Sequence, residues 1–260
     1  MANSINTNTG AIVALQNLNA TNRDLNVTQN RVNTGMNVSS ARDNGAIFAI
    51  ATNQRAEVAG LHSVKQSLQR GQSLVDVALA AGETIVAALT EMKQLAVAME
   101  GGAAGEPSYD AYKADYDALQ LEINDALAGA NFDGANLFAD GAVVSLIKNT
   151  ASADNTFDIG FATAVTVAPA TADVAGVNAA IEGFTAQLAT LGTQSKSVER
   201  QITFTSKMQD ALEVGIGNLV DADLAKESAK LTALQTKQQL GVQALSIANQ
   251  SSSILLGLFR

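Results

Sequence analysis

Histidine and cysteine, the residue types on which most nucleophilic and metal chemistry depends, are nearly absent from this chain. His62 is the single histidine, and the 260 residues contain no cysteine. A Ser-His-Asp triad would have to use His62, and a zinc site needs several histidine or cysteine ligands. The carboxylates are scattered along polar stretches, where solvation is their usual role. The sequence therefore predicts no catalytic residue, no metal ligand and no cofactor, and His62 is expected to be structural or superficial.

The composition favours long helices over a thick layered core. Aromatic residues make up 4% of the chain, Trp is absent, and Pro occurs twice. Alanine, leucine, valine and small polar residues suit helices packed closely side by side, and the scarcity of proline allows those helices to be long. The net charge is −9, and Lys and Arg form no cluster, so the sequence argues against a nucleic-acid partner.

Two stretches at opposite ends of the chain, residues 1–22 and 238–259, contain no charged residue. Glutamine, asparagine and serine interrupt the second stretch, whereas a membrane span needs about 20 mostly apolar residues, so we expect no membrane insertion. We interpret both stretches as surfaces buried against protein, with their amides hydrogen-bonded to neighbours. The N-terminus also lacks the basic and apolar regions of a Sec-type signal peptide, so export would need another route.

Residues 4–33 are expected to form the first helix, with Gly35 as its C-cap. The apolar stripe of this helix is thin and its many asparagines lower helix propensity, so we expect it to become ordered only on packing. Ser40 and Asp43 resemble a capping box that opens the next helix. The stripe consists of Leu15, Leu18, Leu25 and Val32.

Heptad patterning predicts two long helices, over about residues 43–99 and 173–219. In each, apolar or small residues recur at alternating steps of three and four, which is typical of a coiled-coil seam, and the second seam is expected to run to Leu219. Small residues in the first seam would let neighbouring backbones approach closely. The core positions of the two seams include Leu61, Leu68, Ile85, Leu89, Ile181, Leu188, Leu191 and Leu212.

A shorter helix is expected from Pro107 to about residue 130. Its apolar stripe contains all three tyrosines of the chain, which we expect to pack against the long helices and not to bind a ligand. These are Tyr109, Tyr112 and Tyr116.

Residues 131–169 contain the signals of a small β region. Short apolar runs, the last of them holding Val165 and Val167, are broken by Asp133-Gly134 and Asp140-Gly141, which are hairpin turn sequences. We expect this region to lie at one end of the helical bundle.

The last helix begins after Asp221, which is expected to cap it. The predicted fold is mainly α, a long antiparallel coiled-coil bundle with a small β-hairpin region at its tip and both chain ends together. The final helix carries two seams, one of Leu224, Leu231 and Leu245, the other of Leu234, Gly241, Ala248 and Leu255.

Several segments in this order resemble the bacterial flagellins, and in particular short flagellins of alphaproteobacterial type. The matching segments cover both ends and much of the middle of the chain. They are INTN at residues 5–8, SARDNGA at 40–46, AIA at 49–51, LAV at 95–97, DADLAKE at 221–227 and ILLGLFR at 254–260.

The resemblance implies a structural subunit that self-assembles into an extracellular filament for swimming. It implies an inner D0 layer from residues 1–35 and 221–260 and an outer D1 domain from residues 36–220, with the β hairpins at about 131–169. It also implies export in an unfolded state by the flagellar type III apparatus and contact with hook–filament junction and cap proteins. The apolar stripe of the first helix would then pair with Leu231, Leu234, Leu245 and Leu255, while the uncharged remainder packs on neighbouring copies.

One residue departs from the flagellins that the animal innate receptor senses. Those flagellins carry an arginine where this chain has Glu91, in the segment that leads to Leu95. We therefore expect this chain to escape that receptor.

Two other functions remain open from the sequence. A hook–filament junction protein shares the helical ends, but it would cap a hook in few copies and would not polymerise at length. A coiled-coil type III-secreted protein of another class would need an effector domain or an apolar membrane helix, and the sequence shows neither.

Overall fold

The computed structural model describes residues 7–139, 141–150, 155–169 and 171–257, with side chains described to residue 250. Within these residues the chain forms five helices and two two-stranded antiparallel sheets, which confirms the mainly helical prediction. The helices are α1 (Thr9–Thr34), α2 (Gly45–Glu100), α3 (Pro107–Gly129), α4 (Val174–Val220) and α5 (Leu224–Gly257). The strands are β1 (Asn131–Phe132), β2 (Ala135–Asn136), β3 (Val144–Ile147) and β4 (Thr156–Ile159).

The chain divides into two compact units, and the helices α2 and α4 contribute to both of them. The first unit contains Met1–Ala56 and Leu212–Arg260, and therefore α1 and α5. The second unit contains Glu57–Ala211, and therefore α3 and both sheets.

The core of the second unit follows the heptads of α2 and α4. In α2, the predicted core positions Leu61, Leu68, Ile85 and Leu89 are all at most 2% exposed. In α4, Leu191 is fully buried, and the predicted core positions Ile181 and Leu188 are half-buried against the same core. Leu212, the last predicted core position of α4, belongs to the first unit and is also half-buried.

Two glycines of α2 allow a neighbouring leucine to approach the helix backbone. A methyl group added at Gly71 would collide with the side chain of Leu146 on β3, and one added at Gly82 would collide with Leu188 on α4. The small residues of the α2 seam thus have the role that the sequence predicts. By length and composition α2 would also qualify as a membrane-spanning helix, but its apolar stripe is the core of this unit.

Both hairpins pack against the helices. Asp133 and Gly134 form the tight turn between β1 and β2 with φ of 52° and 80°, as the Asp-Gly sequence predicts. The prediction of a further strand at Val165 and Val167 is wrong. Both residues are buried, but the amide of Val165 donates to the carbonyl of Phe138, which lies in a loop. Val165 therefore has no neighbouring strand among the described residues with which to form a sheet.

The tyrosine stripe of α3 is confirmed at two of its three positions. Tyr116 is 2% exposed and Tyr109 packs against the core, whereas Tyr112 is 41% exposed. The prediction for Tyr112 is wrong, because one face of α3 is covered and Tyr112 lies at the edge of that face.

The predicted N-terminal caps of α2 and α5 are each displaced along the chain. Asn44 caps α2, because its Oδ1 accepts hydrogen bonds from the amides of residues 46 and 47. Asp43 instead closes the turn before the cap by accepting from Ser39 and Ser40. Asp223 caps α5 through its Oδ1, while Asp221 forms a β-bridge with Met36.

Two seam positions are also corrected. The α4 seam ends on Val220, which is 2% exposed, and not on Leu219, which is 36% exposed. Val220 is drawn inward because its carbonyl accepts the amides of Asn37 and Val38 in the α1–α2 connection. Leu224 is 49% exposed because the first seam position of α5 is taken by Glu227.

Candidate assembly interface

The terminal helices α1 and α5 pair with each other in antiparallel orientation. At one end of the pair, the Nδ2 atom of Asn8 donates to the carbonyl of Ala248 over 2.7 Å. In the middle, Leu18 packs against Gly241, where an added methyl group would lie 3.3 Å from Leu18 Cδ1. This pairing brings together the two stretches that the sequence identifies by their lack of charge.

Polar contacts hold the pair in register. The Nε2 atom of Gln238 donates to the Oδ1 atom of Asn22 over 2.7 Å. Near the other end, Arg31 of α1 and Glu227 of α5 form an ion pair of 3.3 Å, with side chains 28% and 12% exposed. Because a buried polar group is costly without its partner, a slip along the seam would be penalised at each of these positions.

The seam is narrow and only partly apolar. Leu234 is the one large apolar residue of the pair that is buried within the described side chains, together with the threonines Thr21 and Thr28. The hydroxyl of Thr21 donates back to the carbonyl of Asn17. A helix pair with so little apolar burial is weak by itself.

The connections at the base of the pair are joined by backbone hydrogen bonds. Gly35 ends α1 with φ of 69° and accepts the amide of Ala222, while the amide of Asn37 donates to Val220 over 2.7 Å. The predicted C-cap at Gly35 is thus confirmed. These bonds hold the α1–α2 connection and the α4–α5 connection side by side, so that α1 and α5 begin their pairing next to each other.

Asp43 stabilises the turn that follows this crossing. The Ser40 backbone amide, with further donors from the Ser40 hydroxyl and from Ser39, holds the pKa of the Asp43 carboxyl below its ordinary value. These bonds favour the ionised carboxylate.

The structure brings most of the predicted pairing residues onto one seam. Three predicted residues of α1 are half-buried, namely Leu18, Leu25 and Val32, and so are two of their predicted partners on α5. Leu15 lies outside the seam and is 47% exposed, because the helix turns it away from α5. Those α5 partners are Leu231 and Leu245, with Leu234 more deeply buried, while the side chain of Leu255 lies outside the described residues.

Large apolar side chains remain uncovered on the same two helices. They share an exposed fraction of 44% or more, and most of them lie in the parts of α1 and α5 that carry no charge. We call them the exposed apolar set: Ile12, Val13, Leu15, Val27, Leu224, Leu240, Val242 and Ile247.

The remaining predicted positions lie in the second unit. His62 is exposed on α2 and lies 3.4 Å from the amide nitrogen of Gln66, as a surface histidine would. Glu91 is exposed and Leu95 half-buried, and both line a groove between α2 and α3. Across the described part of the chain, no group of three or more His, Cys, Asp or Glu side chains could hold a metal ion.

Three contacts of the α1–α5 pair were not predicted from the sequence. Asn22 reads as an interruption of the α1 stripe, yet it lies on the seam because an amide partner, Gln238, faces it. The Arg31–Glu227 pair could have been found from the charge of Glu227 at a seam position. Asn8 could have been found as a helix cap, which its Oδ1 bond to the amide of Ala11 confirms.

Comparisons with known proteins show which family the chain resembles. The sequence model of the bacterial flagellin N-terminal helical region matches residues 5–142, and that of the C-terminal helical region matches residues 174–259. The flagellin FljK of Caulobacter vibrioides is 50% identical over 99% of both chains, and a flagellin of Brucella melitensis is 36% identical over 99% of both. A solved structure of Bacillus cereus flagellin covers 64% of this chain and 94% of its own, with 19% identity and a TM-score of 0.37.

Proposed function

This chain belongs to the bacterial flagellin family and is a structural subunit of the flagellar filament, and we propose that copies of it assemble through the exposed apolar set of the α1–α5 pair. The observation that carries the proposal is the exposure of large apolar side chains on the uncharged stretches of these two helices. Leu240 is 60% exposed and Ile247 67% exposed, within a stretch where no charge would have to be desolvated by a neighbour. Apolar surface of this kind marks a protein contact.

The weakness of the α1–α5 pair supports assembly as the step that stabilises it. One subunit buries little apolar surface between these helices, whereas ordering each residue costs about 1–2 kcal/mol of backbone entropy. Burial against neighbours contributes about 25 cal/mol for each Å² of apolar surface removed from water. We propose that residues 1–35 and 221–260 form the inner D0 layer and residues 36–220 the outer D1 domain, so that neighbours supply the burial the inner layer lacks.

The remaining parts of the proposal follow from the family. The chain is exported unfolded by the flagellar type III apparatus, reaches the cell exterior, and forms a filament that serves swimming. Its partners are other copies of itself, with hook–filament junction and cap proteins at the ends of the polymer. The uncharged stretches of the terminal helices suit this route, because neighbouring copies can cover them without desolvating a charge.

The truncation of residues 238–260 tests the proposal. We expect the purified full chain to form long filaments on a concentration or salt step in electron micrographs. The truncated chain should retain a helical second unit, measured by circular dichroism, but form no filaments. Filaments of normal length from the truncated chain would refute the role of α5, and short caps or monomers from the full chain would favour a junction protein.

Glu91 bears on recognition by the animal innate receptor for flagellin. We propose that this receptor does not respond to the chain, because the acidic side chain of Glu91 is exposed where receptor-active flagellins carry arginine. A receptor reporter assay tests this, and a full response to the native chain would contradict it. The variant Glu91→Arg provides the matched comparison, and a gain of response there would support the assignment.

A further inference from the structure

The middle of α4 presents an aromatic side chain to solvent among positive charges. Phe204 is 56% exposed and Met208 is 40% exposed. Arg200 and Lys207 lie four residues before and three residues after Phe204, and so share its helix face. Neither takes part in an ion pair within the described residues, and Arg200 Nη2 donates to the hydroxyl of Ser197 over 2.7 Å. We call Arg200, Phe204, Lys207 and Met208 the basic patch.

A groove between α2 and α3 has the opposite character. It has a volume of about 570 Å³, and its lining contains three carboxylates, two half-buried leucines and no positive side chain. Together these residues offer an apolar floor with an acidic rim. We call it the acidic groove, and it is lined by Glu91, Gln94, Leu95, Asp115, Ala118, Leu119 and Glu122.

The patch and the groove of one chain cannot reach each other. The antiparallel register of α2 and α4 is fixed by Leu188 against Gly82 and by Ser195 Oγ, which lies 2.7 Å from Gln72 Nε2. That register places Phe204 beside the α2 turn that contains His62. Leu95 lies further along α2 by about 50 Å, at 1.5 Å of rise per residue.

We propose that the basic patch of one copy docks into the acidic groove of the next copy in the filament. The proposal rests on the proposed function, since it names one contact of the polymer. The two surfaces are complementary in charge and in apolar content, and phenylalanine, methionine and arginine are enriched at protein interfaces. A contact between two different surfaces of one chain is heterologous, so it extends into an open polymer when the rotation between copies does not close a ring. Copies in the same orientation are then displaced by about 50 Å along the bundle.

Charge reversal on each side tests the contact. One variant carries Glu91→Lys and Glu122→Lys, so that groove and patch are both positive. The other carries Arg200→Glu and Lys207→Glu, so that both are negative. We expect each variant alone to raise the critical concentration for assembly at least about tenfold. An equimolar mixture should assemble near the native concentration, because each patch then finds a groove of opposite charge.

Two controls separate this contact from general charge effects and from the proposed function. Glu83→Lys and Lys93→Glu reverse exposed charges on α2 that do not line the groove, and both should assemble like the native chain. If the native chain forms no filament, the proposed function fails. If the native chain and both reversed variants assemble equally well, only the docking proposal fails. Circular dichroism of each variant confirms that it is folded before assembly.

Cysteine cross-linking gives a second readout, because the native chain contains no cysteine. Ala118→Cys in the groove and Met208→Cys in the patch, in one chain, should give a ladder of covalent multimers from oxidised filaments. The same patch cysteine combined with Val97→Cys, at an exposed α2 position outside the groove lining, should give no ladder. Equal ladders from both pairs, or none from the first pair, would overturn the proposal.

Discussion

Removal of two exposed side chains from α5 should block assembly without weakening the subunit. Leu240 and Ile247 are 60% and 67% exposed, so Leu240→Ala and Ile247→Ala remove little that the single chain uses. Full burial of such a side chain is worth about 1.5–3 kcal/mol, and at these exposures each retains about 1–2 kcal/mol to gain from a neighbour. The double variant should therefore lose about 2–4 kcal/mol of contact, which raises the critical concentration roughly 30- to 900-fold.

The assay is sedimentation of polymer over a range of protein concentrations, paired with thermal unfolding of the unassembled chain. We expect the critical concentration to rise and the unfolding temperature to stay within about 2 °C of the native value. Leu121→Ala is the matched control, because Leu121 is 66% exposed on α3 and lies outside the exposed apolar set. Polymerisation of the double variant at the native concentration, or an equally strong impairment of the Leu121 control, would show that Leu240 and Ile247 are not assembly contacts.

Three further substitutions test the packing. Gly71→Ala should destabilise the chain by up to about 2 kcal/mol, because overpacking against Leu146 of β3 costs more than the gain in helix propensity. Gly183→Ala has open space around it and should stabilise the chain by about 1 kcal/mol. Equal shifts in the thermal unfolding temperature of the two variants would contradict this. Arg31→Met should cost about 1–3 kcal/mol in denaturant unfolding, and adding Glu227→Leu should recover most of that loss, since no buried charge is then left alone. Burial raises the pKa of Tyr116 above its ordinary 10.0, so native stability is intact below that pH and is lost as the pH rises past it. Tyr116→Phe should remove this alkaline loss, and an unchanged pH profile of unfolding would contradict the assignment.

The long helices and their seams could be predicted because they depend on period alone. Leu68, Ile85 and Leu191 recur at steps that only one helix face satisfies, and each is fully buried. The Asp133–Gly134 turn was predictable for a related reason, because its backbone conformation is a local property of those two residues.

The errors arise where distant contacts override local pattern. Asp221 has the right type for a helix cap, but a backbone bridge to Met36 holds it before the helix begins. Val165 has strand propensity but finds only a loop carbonyl as its partner. In both cases the deciding contact is remote in sequence, and local periodicity carries no information about it.

The assembly surface was predictable in kind but not in detail. Lack of charge identifies the terminal stretches, and the structure shows that Leu15 belongs to their exposed side and not to the α1–α5 seam. Period alone places Phe204 off the α4 seam, one residue before the buried Thr205. It does not predict that this aromatic side chain is 56% exposed.

Thiol labelling of Ile247→Cys reports whether neighbouring copies cover α5, because it follows one exposed side chain in a chain without other cysteines. The labelling rate is measured for the unassembled chain and for sedimented filaments, with Val97→Cys on α2 as a reference position. We expect labelling at residue 247 to slow strongly on assembly, because neighbouring copies cover it. Labelling of residue 247 at the same rate in filaments as in the free subunit would contradict assembly through the terminal helices.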